Sequence, residues 1–329
     1  MSDAVLDIPS RNRTRRSRSF WRKPWLLSAV LLVVFIGINI LIQPRFFSAY
    51  ALGNIITTML PWMLIAVGQT YVIFGGSIDL SLGAIVSLVN VVVVVLITAL
   101  GGGPGAMVLG MVAGLLLGTL CGALNGFLIS AFRLQAIVTT FATSIIYGGA
   151  ALVVLPQAGG SLPTEYFTVY SEGFFGLTLP IYLLVALILV AAFVATTRYQ
   201  KHLLATGGNR QAAFQTGLPV RRIVMGAHAI AGFMSAVAAL CILGVAGAGD
   251  PLMGQAFTLG SVSAVVLGGT ALAGGWGSVT GSIIGAAILA LINNIIFFSG
   301  IDYIYQAIVQ GGIILAALAA GVFASRRQK

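Results

Sequence analysis

The sequence predicts an all-α integral membrane protein with about ten transmembrane helices and a weak inverted internal repeat. Only 7% of its 329 residues are charged and 59% are hydrophobic, whereas soluble domains carry roughly a quarter charged residues. The mean hydropathy is +1.05. The apolar residues form long continuous runs, which excludes the alternating pattern of a membrane β-barrel.

Ten apolar runs are long enough to cross a bilayer when charged residues and turn clusters are taken as their limits. They are 25–42, 52–74, 78–100, 104–130, 136–155, 179–197, 223–247, 258–273, 278–298 and 303–324. The eighth run is short and rich in glycine, so a re-entrant segment buried in protein is an alternative there. We expect 25–325 to form a single transmembrane domain between a basic tail at 1–24 and a short tail at 326–329.

The positions of the basic residues predict the orientation of the spans, because Lys and Arg near span ends stay on the cytoplasmic side. Of the 17 basic residues, seven lie at 11–23, five at 198–222 and three at 326–329. Ten spans place these groups and Arg133 in the cytoplasm and leave only Arg45 outside, so both termini are predicted to be cytoplasmic. Topology and anionic lipid also explain the net charge of +10, and no nucleic-acid partner is expected.

Glycine forms a regular stripe in the fourth run, where it recurs every four residues at Gly110, Gly114, Gly118, Gly122 and Gly126. Such spacing lets helix backbones approach closely in a membrane. The ninth run repeats it at Gly277, Gly281 and Gly285. Because amides follow both stripes, we infer that spans 2–5 recur as spans 7–10 in inverted orientation, as in many transporters. Plain packing surfaces are the alternative.

A single acid, Asp79, stands in the segment GGSIDLSLG at 75–83 between the second and third spans. Paired glycines break a helix, and Asp79 or Ser77 could accept from the free N–H groups that open the next one. Ionisable residues at membrane depth also tend to face a cavity. Asp79 could therefore cap the next helix, line the translocation pathway or its gate, or do both.

Three segments of the chain together resemble the permease subunits of ATP-binding-cassette importers for simple sugars, of the ribose, xylose and arabinose type. They are GGSIDLSLG at 75–83, GGNRQAA at 207–213 with Gly217, and VVLGGTALAGGWGS at 265–278. The resemblance implies a channel-forming subunit, often a homodimer, in the bacterial inner (plasma) membrane. It also implies that a periplasmic sugar-binding protein delivers a monosaccharide and that separate ATPase subunits drive its passage.

The chain contains no Gly-x-x-x-x-Gly-Lys-Ser/Thr phosphate loop. We therefore expect no enzyme activity, cofactor or metal in this chain, and ATP with Mg on the partner ATPase. The one sizeable cytoplasmic loop, 198–222, has a helix-forming stretch at 210–215 between glycine breaks. The resemblance implies that this helix enters a groove of the ATPase, with Ala212 and Ala213 as its small face. If the resemblance is set aside, a solvated basic loop is the alternative.

The residues expected to couple this chain to the ATPase are Gly207, Gly208, Asn209, Arg210, Gln211, Ala212, Ala213 and Gly217. Family members often carry an acid just before the paired alanines, where this chain has Arg210 and Gln211. That difference puts an electrostatic contact of the usual sign in doubt.

A neutral polar solute needs hydrogen-bonding groups but few charges along its path. The candidates for the pathway or gate are Asp79, Ser81, Gln69, Asn125, Asn293 and Asn294, although each could instead only join helices. A branched-chain amino acid or nucleoside-type permease of the same superfamily is an alternative. An ion-coupled transporter would need several buried ionisable groups, and only Asp79 and His228 are present. A membrane enzyme would need paired carboxylates, a His/Cys cluster or an activated serine.

Overall fold

The computed structural model describes residues 25–172 and 175–302, together with the single residues 305, 308, 311, 312 and 315. The predicted tails at 1–24 and 326–329 and nearly all of the tenth predicted span, 303–324, lie outside the described residues. Within them there is no β-strand, and an isolated bridge joins Gly159 and Gly249. The all-helical class is confirmed for this part of the chain.

The described helices are, in chain order, α1 (Leu26–Ile42), α2 (Ala49–Phe74), α3 (Leu82–Ala99), α4 (Pro104–Ala131), α5 (Ala136–Val154), α6 (Thr164–Ser171), α7 (Leu179–Thr196), α8 (Arg198–Gly208), α9 (Arg210–Gln215), α10 (Val220–Ala246), α11 (Gln255–Leu267) and α12 (Val279–Phe298). Seven of them, α2, α3, α4, α5, α7, α10 and α12, are long and apolar enough to cross a membrane. The apolar helices α1 and α11 are shorter. Each of the first nine predicted runs overlaps one of these nine helices.

Two predicted boundaries are wrong. The third span was expected from 78, but residues 75–81 are not helical and α3 begins at Leu82. The eighth was expected to reach 273, but α11 ends at Leu267 and is followed by tight turns at 268–278. Both segments are apolar enough to resemble helix, yet Gly76, Gly269, Gly274 and Gly275 have positive φ angles that break it.

The bundle has two chemically different ends. At one end, which we call the basic end, the C-terminus of α4, the N-terminus of α10 and the short α9 bring together Arg133, Arg210, Arg221 and Arg222. At the other, the α6 end, α6 packs on the last turns of α10, where the Tyr166 hydroxyl donates to the Leu240 carbonyl at 3.0 Å. The first turn of α6 carries Glu165.

The shorter helix α11 also passes between the two ends, together with the extended segment that precedes it. Gly249 pairs with Gly159 near α6, whereas Gly275, after α11, donates to the Phe74 carbonyl at the end of α2. Helix α12 then returns, and its last residues lie beside the start of α2. The chain therefore reaches the α6 end at residue 298.

The glycine stripes are close packing surfaces, as their spacing predicts. A Cβ at Gly122 would lie 3.0 Å from the Gly232 Cα on α10, and one at Gly126 would lie 2.6 Å from the Met225 Cα. The stripe on α12 meets α11 in the same way, because a Cβ at Gly285 would lie 2.8 Å from the Gly268 N. Helix backbones thus touch where side chains would hold them apart.

Candidate functional site

The three segments that resemble the permease family meet in space at the basic end. Gly76 of the first, Gly207 and Gly208 of the second, and Gly274 and Gly275 of the third form a contact of bare backbones, which we call the glycine junction. A Cβ at Gly207 would lie 2.9 Å from the Gly76 N and 2.8 Å from the Gly275 N. Any motion of one segment at this junction must displace the other two, because the interior is close-packed.

The predicted short helix at 210–215 is confirmed as α9 (Arg210–Gln215). The break before it lies at Asn209, with φ −158 and ψ 101, and not at the glycine pair, since Gly207 and Gly208 are the last residues of α8. The Asn209 Oδ1 caps α9 by accepting from the Ala212 N–H at 2.9 Å. Gly217, with φ +82, turns the chain after α9.

Of the two alanines of the expected small face of α9, Ala213 is buried. It packs against Ile129, Val220 and Val224 and so fixes α9 to α4 and α10. The next residue, Phe214, is 72% exposed. The sequence reasoning missed it because the inward side of so short a helix depends on what packs beneath it.

A groove of about 1260 Å³ opens beside α9 at the basic end. It contains the four arginines of this end, and the Arg221 guanidinium lies 5.3 Å from the centre of the Phe127 ring. Partial burial lowers the pKa of Arg210. None of the four has a carboxylate partner among the described residues, so an anionic partner surface would stabilise their charge.

Asp79 belongs to a fully buried network between the extended segment 75–81 and two spans. Its Oδ1 accepts from the Ser81 N–H at 2.8 Å and from the Ser81 Oγ at 2.6 Å. The Ser81 Oγ in turn accepts from the Asn125 Nδ2 of α4 at 2.7 Å. The Tyr147 hydroxyl of α5 lies 3.2 Å from the Asn125 Oδ1 and 3.1 Å from the Cys121 carbonyl.

This network corrects the expected helix cap. Asp79 does accept a backbone N–H, but that of Ser81, immediately before α3, and not one inside its first turn. A second tie joins the segment to α5, since the Leu80 N–H donates to the Thr140 Oγ1 at 3.0 Å. The Asp79 Oδ2 is buried and has no hydrogen-bond partner in the described part of the chain.

The six residues predicted for the pathway or gate lie in separate regions of this chain. Asp79, Ser81 and Asn125 form the buried network, and Gln69 is fully buried on α2 with neither amide atom bonded to a described residue. Asn293 and Asn294 instead line a cavity of about 400 Å³ at the α6 end, between α2, α12 and the end of α1. We call it the amide cavity.

The remaining titratable groups offer little chemistry. His228 is fully buried, with its Nδ1 3.0 Å from the Val224 carbonyl, and Cys121 and Cys241 are free buried thiols. Among residues 25–172 and 175–302, no group of three His, Cys, Asp or Glu side chains could hold a metal ion.

Comparison with known proteins gives a consistent assignment. Residues 51–318 match the family described as branched-chain amino acid transport system, permease component. The ribose import permease protein of Bacillus subtilis is 35% identical over 298 residues, 89% of this chain and 90% of that protein. The ribose import permease protein of Escherichia coli is 31% identical over 322 residues, 93% of this chain and 97% of that protein.

The L-arabinose transport system permease protein of Escherichia coli is 33% identical over 268 residues, 81% of this chain and 80% of that protein. No solved structure matches the chain significantly.

Proposed function

This chain belongs to the family of branched-chain amino acid transport system permease components, and we propose from this premise that it is the membrane subunit of an ATP-driven importer for a monosaccharide. The relatives that it matches over 80–97% of their length are permeases for ribose and arabinose. The absence of a phosphate loop from the sequence supports placing ATP and Mg on separate ATPase subunits. A periplasmic binding protein would deliver the sugar.

The proposed arrangement in the bacterial inner membrane has ten spans, with the basic end and both tails in the cytoplasm. The arginines at the basic end and Glu165 at the α6 end support this orientation. A second copy of the chain completes the permease as a homodimer, because the polar residues within one chain do not form a continuous path.

The observation that carries the proposed function is the glycine junction. Helix α9 is positioned to dock on an ATPase, and only Asn209 separates it from Gly207 and Gly208 at the end of α8. Those glycines contact Gly76, at the start of the segment that carries Asp79, and Gly275, in the turns between α11 and α12. Movement of α9 therefore reaches two broken spans without any intermediate loop.

In this proposal the buried network of Asp79, Ser81 and Asn125 holds the gate between these spans, and Gln69 lies in the core that must rearrange with it. The coupling residues act in two groups. Asn209, Arg210, Gln211 and Ala212, with Phe214, form the side of α9 that faces the partner. Gly207 and Gly208 transmit the movement, and Ala213 and Gly217 fix the helix in place. Arg210 and its three neighbouring arginines have no carboxylate partner among the described residues. The ATPase surface that receives them is therefore acidic in this proposal.

Truncating Phe214 should weaken ATPase docking. A large exposed ring on a short helix is suited to act as an interface hot spot, and truncation of a hot-spot residue lowers affinity by about 2 kcal/mol or more, roughly 30-fold. Phe214→Ala should therefore lower both co-purification of the ATPase and ATPase activity stimulated by the loaded binding protein. Pull-down and ATPase assays on the reconstituted complex measure these effects.

Phe193→Ala is the matched control, because Phe193 on α7 is 69% exposed but lies on an apolar span. It should leave docking unchanged. Equal behaviour of the two variants, with thermal stability retained, would place the ATPase contact away from α9.

A further inference from the structure

The amide cavity is lined entirely by uncharged side chains, and amide and hydroxyl groups interrupt its largely apolar wall. Its wall contains Asn54, Thr58 and Trp62 of α2 and Asn293 of α12. Asn54 and Thr58 are exposed on a membrane-spanning helix. The Thr58 hydroxyl bonds to the Asn54 and Ile55 carbonyls of its own helix, but the exposed Asn54 amide would be unfavourable against acyl chains, which favours water or a polar solute on this side of α2.

The cavity extends from the α6 end to about the middle of the membrane. From Ala49 to Trp62 helix α2 rises about 20 Å, and a bilayer core is about 30 Å thick. A neighbouring cavity near Arg45 shares Gln43, Tyr50, Ala51 and Phe298 with it. Beyond Trp62 every residue of α2 from Met63 to Phe74 is buried, so within this chain a solute could go no further.

The hydrogen bonds separate the amides of the cavity into two kinds. The Asn294 Nδ2 donates to the Asn39 Oδ1 at 2.7 Å and lies 3.3 Å from the Gln43 Oε1, so Asn294 joins α12 to α1. The side chains of Asn54 and Asn293 bond to no described residue. Two amides, each with donors and an acceptor, therefore remain free at the wall of the cavity.

Trp62 forms a rigid aromatic floor. Its ring centre lies 4.4 Å from that of Phe257 on α11, at an interplanar angle of 47°. Gly260 of the same helix packs directly on the indole of Trp62, because a Cβ at position 260 would lie 3.0 Å from the indole Cη2. The indole is thus clamped by α11, which is continuous with the turns that enter the glycine junction.

We infer that the amide cavity is the sugar site of the permease, holding one neutral monosaccharide. The Trp62 indole lies against an apolar face of the sugar ring, and the Asn54 and Asn293 amides bond to its hydroxyl groups. A volume of about 400 Å³ is in the range of small-molecule sites that combine apolar walls with a few polar groups. Trp62 forms the floor of the cavity and is held by α11, which continues into the glycine junction. Movement of the junction would therefore displace Trp62 and open the cavity. This inference rests on the proposed sugar import.

The test uses the complete importer in proteoliposomes, with D-ribose and L-arabinose as probes and their binding proteins supplied. Asn54→Ala, Asn293→Ala and Trp62→Ala should each lower the number of sugars imported per ATP hydrolysed by about tenfold, the effect of one lost hydrogen bond or ring contact. ATPase stimulation by the loaded binding protein should persist, since docking is untouched. Asn293→Gln and Trp62→Phe should recover part of the loss.

Gln157→Ala is the control, because Gln157 is an exposed amide outside the three cavities described and should have no effect. Thermal unfolding of each variant checks that the bundle remains folded. An unchanged ratio of sugar to ATP in all three alanine variants would overturn the site. If the wild-type importer takes up neither sugar, the proposed function itself fails, and the inference fails with it.

Discussion

Asp79 places a carboxyl group deep in the protein with only one of its two oxygens hydrogen bonded. The Oδ1 accepts two hydrogen bonds from Ser81, while the Oδ2 has no partner in the described chain. An unpaired buried polar atom is destabilising by about 1–3 kcal/mol, and such atoms require an explanation in a native protein. The segment 75–81 is tied to α4 through Asn125 and to α5 through Thr140, so the free Oδ2 leaves Asp79 an acceptor position for a new donor if the glycine junction moves.

Asn125 links this segment to the spans, and its removal should destabilise the protein. Asn125→Ala leaves the Ser81 hydroxyl and the Tyr147 hydroxyl without this buried partner. We expect a loss of about 1–3 kcal/mol, seen as a lower midpoint of thermal unfolding in detergent. Thr119→Val is the control on the same helix, because its hydroxyl bonds only to the Leu115 carbonyl of its own helix. Equal shifts in both variants would show that the network contributes nothing beyond local packing.

The end of α8 packs backbone to backbone in the glycine junction, directly before α9. Helix α8 ends at Gly208, Asn209 changes the chain direction, and α9 is fixed by the buried Ala213. The two neighbouring glycines of α8 have very different surroundings. A Cβ at Gly207 would overlap the Phe74 carbonyl, whereas one at Gly208 would have the Gly275 Cα as its nearest contact, at 3.9 Å.

Gly207→Ala should therefore disrupt coupling, and Gly208→Ala should not. The extra methyl at 207 must push α8 away from Gly76 and Gly275, so movement of α9 no longer reaches the broken spans. We expect Gly207→Ala to lose at least about tenfold in sugar uptake per ATP, as an overpacked contact destabilises by about 1–3 kcal/mol. Uptake and ATPase activity are measured together in proteoliposomes. Indistinguishable behaviour of the two variants would exclude the junction as the route of coupling.

The sequence predicts the long apolar helices well because length and hydropathy alone decide them. It misses α6 and α8, which lie in polar stretches, and it reads Gly207 and Gly208 as a break although close packing keeps them helical. Because Ile78 is apolar, the sequence prediction starts the third span there and includes part of the extended segment before α3. In the site, the short helix α9 is predictable, but which of Ala213 and Phe214 faces outward depends on α4 and α10. The roles of Asn293 and Asn294 likewise depend on the position of α1.

The two halves of the whole molecule are built around the same broken-helix element, which supports the inverted repeat. Gly75 ends α2 and Gly247 ends α10, and an extended segment with one aspartate follows each. The Asp79 Oδ1 accepts from the Ser81 N–H at 2.8 Å, and the Asp250 Oδ1 accepts from the Leu252 N–H at 2.8 Å. The helices that follow, α3 and α11, cross at Gly83 and Gly254, where a Cβ on either would overlap the carbonyl of the other.

The proposed orientation predicts which residues a membrane-impermeant reagent can label from each side of the membrane. Glu165 and Lys201 are exposed at opposite ends of the bundle, and the native Cys121 and Cys241 are buried, so new cysteines can be labelled selectively. Glu165→Cys should react with a membrane-impermeant thiol reagent in intact cells. Lys201→Cys and Lys329→Cys should react only after permeabilisation, because the basic residues keep their ends in the cytoplasm. Residue 298 lies at the α6 end, so we expect one further crossing at 303–324 to return the C-terminus to the other side. Labelling of Lys329→Cys from outside would show that this crossing is absent, whereas labelling of Lys201→Cys from outside would reverse the whole orientation.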